Sequence, residues 1–254
     1  LYMLIGGMPQ ALNTYLETNN LQEVDQTKRE IIELYADDFR KIDPSGRASR
    51  LFMAIPSELA KNTSRYQAMS IIGRKAENVD MNQLLEDMED SLCVNFVYHA
   101  NAPSVGLALH KDKDRYKLFV SDTGLFITLA FWDKDVTENV IYQKLLFGKL
   151  SADLGYVYEN VVAQMLTVAG NKLYYHTWPT PNGKHNYEID FIISRRNKLC
   201  PIEVKSSGYK VHRSLDQFCE KYSSEILYRY LIYTKDLRQD GNVLMVPVYM
   251  TGLL

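Results

Sequence analysis

The chain has 254 residues, 46% of them hydrophobic, with a formal charge of −2. That is enough apolar matter for a packed core and for one or two domains. It excludes a chain that is basic throughout, though not a local basic patch.

The first 42 residues read as helical. They open on Gly6-Gly7-Met8-Pro9, and helices begin at Asn13–Glu17 and Asp25–Phe39. Ile31, Ile32, Leu34, Tyr35 and Phe39 recur there at helical spacing. Asp43-Pro44-Ser45-Gly46 is a turn cluster and a domain boundary. Leu51, Phe52 and Ile55 form an apolar stripe ended by Pro56, with short helical pieces at Ser57–Lys61 and Arg65–Ile72. Asn78–Leu92 is a helix with Met81, Leu84, Leu85 and Met88 on one face. Cys93–His99 and Tyr116–Val120 alternate as strands, with Lys111–Arg115 as a polar loop between them. Helices followed by a two-stranded hairpin suggest a winged helix; an ordinary helical packing unit is the alternative.

The character changes from Leu154. A helix at Leu154–Ala169 precedes strand-like runs at Leu173–Thr177, Tyr187–Ser194 and Leu199–Lys205. A helix at Ser214–Tyr222 and strands at Tyr228–Tyr233 and Val243–Tyr249 follow. This order implies an α/β sandwich.

The chemistry concentrates between Tyr187 and Lys205. Alternation puts Glu188 and Asp190 on one face and Tyr187, Ile189, Phe191 and Ile193 on the other. The next run puts Leu199, Pro201, Glu203 and Lys205 together, with Cys200, Ile202 and Val204 behind them. A two-residue loop at Arg196-Asn197 would set Asp190 directly across from Glu203, with Cβ atoms about 5 Å apart. Like charges so close raise one pKa strongly unless a cation intervenes. A hard divalent ion such as Mg²⁺ or Mn²⁺ resolves the repulsion. Lys205 points the same way and would orient a water or offset charge on a phosphate. Glu159 shares a helix face with Val162 and Leu166, where a carboxylate needs a partner. Each charge taken alone is also what a solvated amphipathic strand would carry.

Gly155–Asn160, Glu188-Ile189-Asp190-Phe191 and Pro201-Ile202-Glu203-Val204-Lys205-Ser206 together resemble the PD-(D/E)xK nuclease superfamily. The version most similar is the DUF4143 domain at the C-terminus of AAA+-like ATPases. Gly6-Gly7-Met8-Pro9 resembles that family's Gly-Gly-x-Pro. Tyr35-Ala36-Asp37-Asp38-Phe39, Ser121-Asp122-Thr123-Gly124-Leu125 and Ser214-Leu215 resemble its later landmarks, so the resemblance spans essentially the whole chain. It implies Asp190, Glu203, the Val204 carbonyl and Glu159 as metal ligands and Lys205 as the catalytic lysine. It also implies a helical tail of an ATPase region at 1–42, a winged-helix-like unit at 43–135 that contacts DNA, and a restriction-endonuclease-like α/β domain at 150–254.

Glu188-Ile189-Asp190 departs from the superfamily's Pro-Asp. No Gly-x-x-x-x-Gly-Lys-[Ser/Thr] occurs in the chain, so the ATP-binding domain is expected elsewhere in the same full-length protein. The start at Leu1 rather than Met is read as a cut end. Cys93, Cys200 and Cys219 are too scattered for a disulfide framework and fit a reducing cytoplasm. No apolar run approaches the roughly 18–20 residues of a membrane span. Five histidines share no ligand spacing, and Lys205, Lys210, His212 and Arg213 form a basic stretch suited to phosphate. The function expected is a metal-dependent phosphodiesterase acting on DNA. The alternative is a catalytically silent module binding DNA or protein.

Overall fold

A computed structural model of the chain describes residues 1–61, 63–73, 81–104, 106–133, 142–143, 145 and 155–254. Its helices start and stop where local chemistry directs. Helix α1 is Tyr2–Ile5, α2 is Pro9–Thr18 and α3 is Leu21–Ile42. Pro9 sits at the start of α2, where a missing N–H costs nothing. Asn20 caps α3 by accepting the Gln22 amide at 3.0 Å. Glu23 lies in the first turn of α3 and Arg40 and Lys41 in its last, each matched to the helix dipole. The Asp43 carboxylate then accepts the amides of Arg47 and Ala48, starting α4, Arg47–Ala60.

Helix α4 runs through Pro56, where the sequence predicts a stop. Pro56 is buried together with Phe52, Ile55 and Leu59, so packing offsets the lost backbone bond. Helices α5, Ala68–Ile72, and α6, Met81–Asp90, follow; residues 78–80 of the expected Asn78–Leu92 helix lie outside the described residues. Strands β1, Val94–Ala100, and β2, Lys111–Val120, precede α7, Thr123–Ala130. The expected loop at Lys111–Arg115 belongs to β2. An edge strand tolerates such charges. Here Lys111 lies over the Tyr98 ring at 3.4 Å and Arg115 donates to Thr177 at 2.8 Å.

The C-terminal order follows expectation except for an added short strand and a last strand that ends at Pro247; Leu154 of the expected helix lies outside the described residues. Helix α8 is Gly155–Val168; β3, β4 and β5 are Tyr174–Pro179, Asn186–Arg195 and Lys198–Lys205. Helix α9 is Arg213–Lys221 and β6 is Tyr230–Tyr233. A three-residue β7, Arg238–Asp240, and β8, Val243–Pro247, complete the order. One eight-stranded mixed sheet runs β2-β1-β3-β4-β5-β6-β8-β7. Strands β1 and β2, expected as the hairpin of a wing, form one edge of this sheet, with β1 parallel to β3. The fold is therefore mixed α+β.

The chain divides into two compact units. One comprises Leu1–Thr63, Gln67–Asn95 and Phe119–Asn160; the other comprises Ser64–Tyr66, Phe96–Leu118 and Val161–Leu254. The first is organised around buried polar groups. Lys28, wholly buried, donates to Leu4 O at 2.7 Å, Gly124 O at 3.2 Å and Tyr142 Oη at 2.9 Å. Asp25 accepts from Arg29, Thr128 and Tyr142. Burial pulls the Lys28 ammonium down to about 8, with the Asp25 charge opposing. In the same unit Asp122 caps α7 through Leu125 N–H at 2.8 Å and accepts Gly7 N–H at 2.6 Å. Asn160 holds both backbone groups of Val120, at 2.9 and 3.0 Å.

Candidate active site

The site is built on the β4–β5 hairpin. Arg196 and Asn197 both have left-handed φ, 49° and 57°. Two such residues make the type I′ turn whose twist suits paired strands. The ladder runs Arg195↔Lys198, Ser194↔Leu199, Ile193↔Cys200, Ile192↔Pro201 and Phe191↔Ile202. That is the register expected for an Arg196-Asn197 loop, observed as far as Phe191↔Ile202, one step short of the expected Asp190–Glu203 pair.

Beyond Phe191 the strands take other partners. β5 continues along β6, with Glu203↔Leu231, Val204↔Ile232 and Lys205↔Tyr233. β4 pairs with β3 as His176↔Ile189 and then Tyr174↔Ile192, so Asp190 and Phe191 together oppose Tyr175. This β-bulge falls on the proposed ligand itself, a position where bulges re-aim side chains. It also corrects the simple alternation expected for β4: Ile189 and Ile192 lie in one core cluster, because the extra residue slips the pattern by one.

The Asp190 carboxylate accepts the Val204 amide at 2.7 Å, so a side chain satisfies the backbone N–H of β5. Glu203 is 5% exposed. Its Oε1 meets Lys205 Nζ at 2.9 Å, and its Oε2 accepts the Leu215 amide at 3.2 Å. Leu215 is the third residue of α9, and the flanking His212 provides no side-chain cap. Glu203 therefore supplies the anion that the helix N-terminus favours. Lys205 keeps a third of its side chain in solvent.

The structure thus brings Asp190 to Val204, and Glu203 to Lys205, within the second unit. Glu159 is half-buried on α8 and falls in the first unit, beside the fully buried Asn160. Among the described residues no group of three or more His, Cys, Asp or Glu converges as a metal cage. Asp190 and Glu203 are nonetheless hard oxygen donors, and a carboxylate offers about four lone-pair positions. Mg²⁺ commonly takes one or two protein carboxylates and keeps several waters. Such an ion would be held by Asp190, Glu203 and the Val204 carbonyl.

Sequence reasoning missed the Glu203–Leu215 bond, although Ser214-Leu215 is one of the landmarks. It also missed a buried histidine pair. The His176 Nδ1–H donates to Ala100 O at 2.7 Å, which leaves Nε2 to accept the Tyr222 hydroxyl at 3.2 Å. The His99 ring lies 5.4 Å from that of His176, and its Nε2 accepts the Thr177 amide at 3.1 Å. Burial pulls His176 down to about 4 and lowers His99 as well. The cysteines carry free thiols. Among the described residues no helix is long and apolar enough to cross a membrane.

Residues 1–136 match the family model described as "Domain of unknown function (DUF8612)". That is more than half of the chain, and the chain belongs to this family. Residues 154–250 match a second model, "Domain of unknown function (DUF4143)". The DUF4143 likeness is thus confined to the C-terminal part, and the region ahead of it carries a different signature. No curated protein matches the sequence. Among solved structures, the chain is similar to protein VC1899 from Vibrio cholerae at 12% identity and a TM-score of 0.27. The match covers 90% of this chain and 53% of that one, so this chain spans about half its length. A likeness that faint carries no argument.

Proposed function

We propose that the region matching DUF4143 is a PD-(D/E)xK-type module that hydrolyses phosphodiester bonds in DNA with Mg²⁺ or Mn²⁺. It would serve an AAA+-like ATP-binding domain of the same full-length protein, with residues 43–135 contacting DNA. The observation that carries the reading is the Glu203–Lys205 pair at 2.9 Å, on the strand whose Val204 amide binds Asp190. Two carboxylates and an ammonium stand where the β4–β5 ladder gives way to other partners.

A divalent ion, if held by the carboxylates, would supply Lewis-acid polarisation of the phosphate. Lys205, partly exposed, presents its ammonium where charge develops on a phosphate. Glu203, held by α9, keeps that ammonium in place. The test is cleavage of plasmid and linear DNA with Mg²⁺ or Mn²⁺ by the native chain, Asp190→Ala and Lys205→Ala. The reading expects cleavage by the native chain alone; equal cleavage by all three would point to a contaminant and end it.

One observation favours a second reading, a catalytically silent module. Both oxygens of Glu203 already accept protein hydrogen bonds, one of them anchoring α9. Tight, salt-steep DNA binding without cleavage would select it.

A further inference from the structure

We infer that the face formed by Trp178, Arg213 and Lys221, backed by the buried Tyr187, binds a single-stranded nucleic-acid segment. This rests on the nucleic-acid reading above and adds the strand form and the surface that holds it. Strand β3 ends on Trp178, which is half-buried and pairs across the sheet with Tyr187 at a ring distance of 5.4 Å. His176 stacks on Trp178 at 5.4 Å and 14°, fixing the indole from below. Helix α9 places one exposed cation at each end of this aromatic pair. Arg213 lies over Tyr187 at 5.9 Å and Lys221 over Trp178 at 6.0 Å.

Those separations are at the outer limit of a cation–π contact, although Lys221 also lies over the Tyr222 ring at 5.1 Å. Neither cation forms an ion pair among the described residues. Eight residues of helix separate them, about 12 Å by helical rise, which suits more than one phosphate. Charge and chemistry agree on the occupant. Phosphates meet the two cations, and an unstacked base meets the exposed part of the indole. A duplex buries its base faces in its own stack, so the ring selects single strands. Because Leu215 N–H is held by Glu203, the Arg213 end of this rail begins two residues from the helix position tied to the catalytic strand.

The chain has two tryptophans, so Trp132→Phe leaves Trp178 as the sole indole reporter. Oligothymidylate is titrated into that variant in EDTA, where cleavage plays no part. Saturable quenching is expected. Adding Arg213→Ala and Lys221→Ala weakens binding roughly tenfold and cuts the salt slope of log K by about 1.4, two single-strand contacts at about 0.7 each. Binding without quenching, or an unchanged affinity in the triple variant, overturns the inference. So does displacement by polyglutamate as effective as by oligothymidylate, which would mark an acidic protein surface as the partner. DNA cleavage by a chain that shows no quenching removes this inference alone. Quenching by a chain that cleaves nothing removes the active-site reading alone.

Discussion

Lys205 Nζ stands 2.9 Å from Glu203 Oε1, and the glutamate of that pair is almost wholly buried. Stripping the ammonium leaves a buried carboxylate short of its counter-charge. Lys205→Met is therefore expected to lower stability by about 1–2 kcal/mol, discounted because the lysine is partly solvated. Adding Glu203→Gln should recover part of that loss, since the amide still accepts from Leu215 without carrying charge. Urea denaturation of the two single variants and the double variant measures the coupling. Independent, additive losses would mean that the pair does not interact.

The Gly6-Gly7 and Asp122-Thr123-Gly124 segments meet in the first unit. Gly6 has φ +83°, and a Cβ on Gly124 would sit 2.4 Å from the Ile5 carbonyl oxygen. Gly124→Ala must push backbone against backbone and is expected to destabilise by roughly 1–3 kcal/mol. Asp122→Ala loses the α7 cap and the Gly7 partner and should cost about 1–2 kcal/mol. A melting temperature unchanged in both variants would show that the clasp contributes nothing.

The hairpin turn carries two side chains in a region that favours Asn-Gly. Replacing Arg196-Asn197 by Asn-Gly is expected to stabilise by about 1 kcal/mol and leave the register intact. Thermal denaturation reads the gain. A loss would mean that Arg196 makes a contact outweighing its backbone strain.

Much of this hairpin was legible because its signals are local. A period-2 apolar pattern, a polar two-residue turn and a fixed strand length jointly select one register. The order of helices and strands after Leu154 was legible for the same reason. What escaped depends on distant partners. The bulge at Asp190–Phe191 arises from pairing with β3, not from residues 186–195 themselves. The passage of α4 through Pro56 rests on burial. Strands β1 and β2 read as a free hairpin because nothing in their own residues announces the β1–β3 pairing. Asp25, Lys28 and Arg29 look like a solvated helix face, yet they share it with Val24, Ile31 and Ile32. That juxtaposition at helical spacing was the available signal.

His176 should make the fold sensitive to acid. Its folded value, about 4, lies below the ordinary 6.5, because the fold holds the neutral ring. The contribution is fully present above pH 6.5 and is lost as pH falls from there towards 4. The full span corresponds to about 3 kcal/mol. Stability measured across this window should fall more steeply for the native chain than for His176→Gln. An NMR titration of the ring with a midpoint near 6.5 would contradict the assignment.

Asp190, Glu203 and Lys205 are proposed to frame a site for a divalent cation. Calorimetric titration with Mn²⁺ tests it without needing a substrate. Asp190→Asn is the matching control, since the amide oxygen still accepts from Val204. Saturable Mn²⁺ binding is expected of the native chain, and its loss in Asp190→Asn at an unchanged melting temperature. Equal binding by both, or none by the native chain, would contradict it.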